Sequence, residues 1–519
     1  MRIGIDVGGT NTDAAILDGD RVIGACKSPT TSDVSSGIKA ALTTVMERTG
    51  ISTKQIEAVM IGTTHFTNAV IERRRLLEVA AIRIGLPATK GVPPMTDWPA
   101  DLADALGRHT FLLRGGHEYD GRLIAELDEE GLRDVANEIR KRGLRTAAVT
   151  SVFSPVTAEM ELRAAEILLE EVPGLKISLS HEIGRVGFLE RENATIMNAC
   201  LADLSFKVVD SFRNALLEKG IRAPFYISQN DGTLMTPNHV ERYPVLTFAS
   251  GPTNSMRGAA RLAGLGDAMV VDIGGTTSDV GMLMQGFPRE SAVAVDIGGV
   301  RTNFRMPDVL AIGLGGGSIV RDNGTRIGPD SVGYEITTRA LVFGGDTLTT
   351  TDVVVAAGLA DVGDKAKVAH LAPELIENTL QTIHRMVDEA VDRMKTSSEP
   401  LPVILVGGGS ILISRDLPSS SKVIRPNNAG EANAIGAAIA QVGGEIDRIY
   451  AMEGRFREDV LAEAKAEASA NAVAAGADAA TVKILDIEEV PLAYLPGSAT
   501  RVRIKAVGDL KPEAKEAAE

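Results

Sequence analysis

Two short stretches hold the residues best placed to do chemistry. Residues 3–16 read IGIDVGGTNTDAAI, and residues 270–283 read VVDIGGTTSDVGML. Each ends an apolar run on an aspartate, Asp6 or Asp272, and then turns through glycines. Consecutive glycines let a backbone turn sharply and bring its N–H groups close to an anion. Gly8 and Gly9 take that place in the first copy, and Gly274 and Gly275 in the second. Thr10, Asn11, Thr12, Thr276 and Thr277 add side-chain donors for phosphate oxygens. Asp6 and Asp272 are hard oxygen ligands of the kind that hold Mg²⁺ through water. In both copies strand-like residues follow the turn, whereas a P-loop or dinucleotide turn leads into a helix. The copies lie half a chain apart. That spacing predicts two similar halves that clamp a triphosphate and a magnesium ion between them. A third hit, VDIGGVRT at 295–302, lacks the Thr-x-x-Asp continuation and reads as a structural turn.

Two further glycine runs fit the same ligand. LVGGGSILI (405–413) offers Gly407, Gly408, Gly409 and Ser410, a backbone able to lie against a flat ring or ribose. AIGLGGGSIVR (311–321) offers Gly315 and Gly316. GEANAIGAAIA (430–440) has the small residues of a helix packed closely on another element. Together these runs suggest an adenosine pocket.

Several elements must position these turns. Strand-length apolar runs, such as EAVMIG, TAAVTSVF, KISLS, PFYISQ and PVILV, alternate with helical periodicity near 33–48 and at 158–172, 191–219, 371–395 and 429–442. Such alternation predicts α/β layers. AAILDGDRVIGACK reads as a hairpin around Asp18-Gly19-Asp20. The Pro-rich region 86–122 breaks the pattern and reads as an insertion or surface loop. From about 455 an Ala-rich polar helix and two strand-like runs predict a small appendage with a polar tail.

Bulk properties narrow the function. The 519 residues exceed what one hydrophobic core supports, so at least two domains are expected. Lys and Arg total 54 against 69 Asp and Glu, a net charge of −15. So acidic a chain gains little from counterion release, and no nucleic-acid partner is expected. No apolar run has the ~18–20 residues that span a bilayer, so no membrane role is expected. Two cysteines, Cys26 and Cys200, exclude a disulfide framework or a four-cysteine zinc site and point to a cytoplasmic protein. Cys200 sits in an apolar stretch and reads as a core thiol.

The turns resemble those of the actin, sugar-kinase and heat-shock ATPase superfamily. Other blocks resemble one family within it, the hydantoinase/oxoprolinase alpha (ATP-binding) chains. These blocks are GTTHFTNAVIERR (62–74), SHEIGRVGFLERENATIMNACL (180–201), SQNDGTLM (228–235) and FASGPTNSMRGAA (248–260), in order between the two turns. The resemblance covers about residues 2–440. It implies two similar mixed-sheet halves of the actin-like type facing a nucleotide cleft, plus the C-terminal helix-and-strand appendage. It divides the chain into an N-terminal domain at 1–180, an ATPase domain at 181–450 and an appendage at 451–519. One departure stands out. IGPDSVGYEITTRALVFGGDTLTTTD (327–352) lacks the cysteine the family usually carries there, so substrate selectivity is expected at 329–352.

The resemblance implies ATP and Mg²⁺ as cofactors and a cyclic amide as substrate: a hydantoin, 5-oxoproline or a related lactam. Transfer of the γ-phosphoryl to the amide oxygen makes the carbonyl carbon open to water. Asp6 and Asp272 are the expected catalytic and metal-holding residues. Thr63, Thr64, Asn68 and Arg73, after a strand and along a helix start, are the substrate-side candidates. His65 lines the pocket or polarises a carbonyl, and Arg191 and Asn193 are placed near the cleft. A separate beta chain and an oligomer are the expected partners. Two alternatives remain open on the residues alone: a chaperone-like ATPase that reactivates a partner enzyme, and a small-molecule kinase.

Overall fold

The computed structural model describes residues 1–8, 11–29, 34–291, 294–304, 306–492 and 499–511. The expected Gly9 and Thr10 contacts and the end of the polar tail lie outside them.

Strand Arg2–Val7 is central to the first sheet, with Ile3, Ile5 and Val7 fully buried. Asn11–Asp18 and Arg21–Pro29 continue antiparallel on one side, joined by a tight turn in which Gly19 has φ +54°. Ala58–Thr63 and then Phe225–Ser228 pair parallel on the other side. The second half repeats this plan. Ala268–Ile273 is central, and Ser278–Met284 lies antiparallel beside it. Phe287–Pro288 and Val309–Ile312 extend that side, while Leu401–Val406 and Ser420–Ile424 pair parallel on the other. The register repeats too: Asp6 stands opposite Asp13, and Asp272 opposite Asp279. Two mixed-sheet halves of the actin-like type are therefore present.

Helices bury an apolar stripe against each sheet. Pro373–Met394 starts on a proline at its first turn, and its Leu380, Ile383, Val387 and Val391 recur at helical spacing on the buried side. Between the halves, Ser250–Ala263 crosses Ala432–Ala438. A Cβ on Gly436 would stand 1.7 Å from the Asn254 carbonyl oxygen, and one on Gly258 1.8 Å from that of Ala432. Only glycine allows this approach, as the small residues of 430–440 predict.

The structure corrects two readings. Region 86–122 is not merely a loop. Past its prolines it forms helix Ala100–Ala105 and strand His109–Arg114, which pairs parallel with Val79–Leu86 at the edge of a four-stranded sheet. The proline content masked the short strand. The helical stretch 191–219 is two helices, Phe188–Cys200 and Ala202–Glu218. The Cys200 carbonyl accepts from Leu77 N at 2.9 Å, which takes it out of the helical ladder. The C-terminal helix Arg457–Ala474 and strands Lys483–Pro491 and Thr500–Gly508 attach through Gln441–Tyr450 to the edge of the first sheet, making nine strands.

Candidate nucleotide site

The two hairpins close alike. Gly8 N donates to the Asn11 carbonyl at 3.0 Å, and Gly274 N to that of Thr277 at 2.9 Å. Asn11, Asp272, Gly274, Gly275, Gly316 and Gly407–Gly409 line one cavity of about 410 Å³. Residues predicted from both halves thus meet. Gly407, at φ +80°, bends the chain against the second hairpin. A Cβ there would stand 2.3 Å from Asp272 Oδ1, so the close approach excludes any other residue. Ile336, Phe343, Val362 and Ile411 give the cavity an apolar wall. Ile336 and Phe343 belong to the segment expected to set selectivity, which the structure places here.

The carboxylates are unevenly satisfied. Asp6 is 4% exposed. Its Oδ2 accepts from Asn433 Nδ2 at 2.9 Å, while its Oδ1 has no partner. Asp13 pairs with Lys27 at 3.0 Å, yet its Oδ1 is also buried without a partner. Burial and then the charge of Asp13 push Asp6 up to about 6, against the lowering effect of the Asn254 and Asn433 amides. Burial and the neighbouring Asp272 push Asp279 up to about 6 as well. Asp13 and Asp272 are also raised, by burial first. Four aspartates from two hairpins therefore create a local demand for positive charge.

Two family models match the chain: the hydantoinase/oxoprolinase N-terminal region over residues 2–172 and hydantoinase/oxoprolinase over residues 191–361. The chain belongs to the hydantoinase/oxoprolinase family. Its relatives within reach of comparison include the acetophenone carboxylase gamma subunit of Aromatoleum aromaticum, 28% identical over 396 residues, covering 69% of this chain and 53% of the relative. The caprolactamase subunit alpha of Pseudomonas jessenii is 26% identical over 401 residues, covering 69% and 55%. The chain thus spans about half the length of these relatives. The crystal structure of the ATP-dependent caprolactamase from Pseudomonas jessenii has the same fold, with a TM-score of 0.80 at 19% identity, covering 100% of this chain and 89% of that one.

Other predicted residues of this hydantoinase/oxoprolinase chain fall into three groups. Thr12 is buried in its strand opposite Val7, and Thr276 and Thr277 are exposed on their turn. Ser410 lies just beyond the cavity's glycines, its N–H donated to the Gly407 carbonyl at 3.2 Å. Gly315 and Gly316 support the second hairpin: Gly316 N donates to the Gly274 carbonyl at 3.0 Å and Gly315 N to Ser318 Oγ at 2.8 Å. Those amides are used internally.

Thr63, Thr64 and Asn68 gather at the end of the first hairpin's neighbouring strand. Thr64 Oγ1 donates to the Val7 carbonyl, and Asn68 Nδ2 to Thr64 Oγ1, both at 3.3 Å. Thr63 Oγ1 lies 2.6 Å from His65 Nδ1. Burial pushes His65 down to about 4, which keeps its ring neutral. Arg73 is elsewhere, at the far end of the helix His65–Ile71. It donates to the carbonyls of Val70, Ile71 and Gly298 and pairs with Asp101. Gly298 is the corner of the 295–302 hairpin, which is the structural turn expected. Arg191 and Asn193 are held by the scaffold rather than the cleft. Arg191 is fully buried on Ser180, Arg185, Val186 and Ser151, and Asn193 links Trp98 to the Arg301 carbonyl. Cys26 and Cys200 are free and buried.

Sequence reasoning missed Lys27, Ser255 and Asn433 of the cavity wall. For Ser255 and Asn433 the signal was there: a polar residue inside each small-residue helix, in GPTNSMRG and GEANAIG.

Proposed function

We propose that this chain is the ATP-binding subunit of an ATP-dependent enzyme that opens a cyclic amide. The observation that carries it is the pair of register-matched hairpins, whose Asn11 and Asp272 line one cavity while Asp6 lies behind it on Asn433 of the wall. Relatives named for a lactam and for an aromatic ketone share one feature, a carbonyl oxygen able to take a phosphoryl group. Gly274, Gly275 and Gly407–Gly409 would cradle the phosphates, and the apolar wall would take the base. Lys27, at the rim, would face phosphate charge while holding Asp13. Thr63, Thr64 and Asn68, beside Asp6, are the ring-side candidates.

Mg²⁺ fits the donors present. The partnerless oxygens of Asp6 and Asp13 and the raised aspartates suit a hard cation. Among the described residues no group of three or more His, Cys, Asp or Glu is placed to hold a metal ion by itself. Bound there, Mg²⁺ would neutralise phosphate charge. No helix among the described residues is long and apolar enough to cross a membrane. A second, beta-type subunit completes the reading, since the curated relatives are themselves named as subunits.

ADP release by the chain, with and without a candidate beta chain, is the test. The ring panel is hydantoin, 5-oxoproline and ε-caprolactam. Ring-dependent release is expected. One slow rate whatever ring is added would instead favour an ATPase acting on a protein client.

A further inference from the structure

A second and larger cavity, of about 640 Å³, shares no lining residue with the nucleotide cavity. Its floor holds a built histidine. Glu161 is fully buried on helix Glu159–Glu171 and receives His181 Nδ1 at 2.6 Å. The same carboxylate accepts from Ser180 Oγ at 2.5 Å, from Ser151 N at 2.7 Å and from His181 N at 3.1 Å. A carboxylate only accepts here, so Nδ1 carries the hydrogen and Nε2 is the nitrogen left for a ligand. His181 lines the cavity.

Two amides on the same wall are incomplete. Asn230, 3% exposed, has a buried Nδ2 with no partner, and Asn303 has a buried Oδ1 with none. Both line the cavity. One is an unused amide donor and the other an unused amide acceptor, and leaving such groups buried and unmatched costs free energy. The charges around them are already matched. Asp231 pairs with Lys505 at 2.9 Å, Glu467 with Arg448 at 2.7 Å, and Asp447 with Arg501 at 2.5 Å. A polyanion would meet neutralised carboxylates, so the wall favours an uncharged polar ligand.

We propose that this cavity is a second binding position for a neutral cyclic amide, apart from the one beside Asp6 where the ring would meet the phosphate, its carbonyl taking the Asn230 donor and its ring N–H meeting Asn303 Oδ1 or His181 Nε2. The ligand class rests on the cyclic-amide reading above; the site rests on the two amides and the oriented histidine. One helix joins the two cavities. On Ser250–Ala263, Thr253 Oγ1 donates to the Asn230 carbonyl at 2.8 Å, while Ser255 lines the nucleotide cavity.

The test is calorimetric titration of the full chain, in the presence of magnesium and ATP analogue, with ε-caprolactam and hydantoin as probes. Ring-dependent ADP release is read in parallel. Asn303→Ala and His181→Gln should each weaken probe binding by about tenfold. Asp272→Asn should leave it within about twofold. Loss of probe binding in Asp272→Asn with retention in the other two would put the ring in the phosphate cleft and overturn the assignment. So would absence of binding by either probe. The two readings fail separately. Probe binding and ring-dependent ADP release that both ignore Asn303→Ala and His181→Gln sink the second site and leave the function. Asn303-dependent probe binding without any ring-dependent ADP release does the reverse.

Discussion

The two cavities treat buried charge in opposite ways. Around the nucleotide cavity the hairpin carboxylates outnumber their partners, and Asp6 and Asp279 behind it are raised to about 6. In the second cavity burial would also raise Asp231, but Lys505 and the Thr233 hydroxyl outweigh it and hold the group at about 2. The first arrangement leaves buried carboxylate without a cation; the second pairs it within the protein. That contrast is the one expected if the first cavity takes the proposed Mg²⁺ and phosphate and the second a neutral molecule.

Removing a carboxylate should therefore have opposite consequences in the two places. Asp272→Asn should lower the rate of ADP release by about a thousandfold, near 4 kcal/mol of barrier. The same change at Asp6 should also raise the thermal midpoint of the nucleotide-free protein, because a buried carboxylate with a partnerless oxygen is replaced by a neutral amide. Calorimetry and steady-state kinetics on the two variants check both. A lowered midpoint together with full activity would dissolve the contrast.

In the second cavity, removing a cation strands an anion. Lys505 is 3% exposed and meets both Asp231 and Glu290. Lys505→Met should destabilise the fold by about 3–5 kcal/mol, since it leaves buried carboxylate uncompensated. Urea unfolding reports this directly, and a loss below about 1 kcal/mol would mean these charges are more solvated than their burial implies.

The pH response should separate the cavities further. Asp6 and Asp279 have folded values raised above their ordinary one, so the folded protein binds more protons than the unfolded chain between pH about 4 and about 6. Their contribution to stability is therefore largest at low pH and is lost as pH rises through about 6. Cation binding needs the ionised form, so Mg-nucleotide affinity should fall by up to tenfold per unit below about pH 6. Asp231 has the opposite sign. Its contribution is present above pH about 4 and is lost as pH falls toward about 2. Titrating nucleotide affinity between pH 4 and 8 and unfolding free energy between pH 2 and 8 distinguishes them.

The same contrast explains what could be read from the sequence. Each hairpin is a local object: aspartate, two glycines and a following strand lie within a dozen residues, so spacing alone exposes it. The repeat at half-chain distance then implied the two-half fold and the shared cleft. The second cavity has no such trace. Glu161, His181, Asn230 and Asn303 come from separate elements, and each is an ordinary polar residue in its own stretch. Lys27 was similarly hidden, because its role depends on which residue it faces across a strand pair, Asp13. The strand His109–Arg114 was obscured by the composition of the loop before it, not by its own pattern.

Arg73 gives the smallest expected effect and the finest test of where the ring sits. Read from sequence, its charge suits a substrate carbonyl. In the fold every donor group it offers is directed at the protein: Val70, Ile71, Gly298 and Asp101. The Asp101 partner is exposed and contributes little. The carbonyl contacts matter more, because they tie the end of one helix to the corner of the 295–302 hairpin. Arg73→Ala should thus cost about 1–2 kcal/mol of stability and raise the KM for the ring by no more than about twofold. Phe304 and Asn303 follow that hairpin and line the second cavity, so a looser hairpin should weaken ring binding slightly there while nucleotide affinity stays the same. A large rise in ring KM at unchanged stability would return Arg73 to the substrate and move the ring away from Asn303.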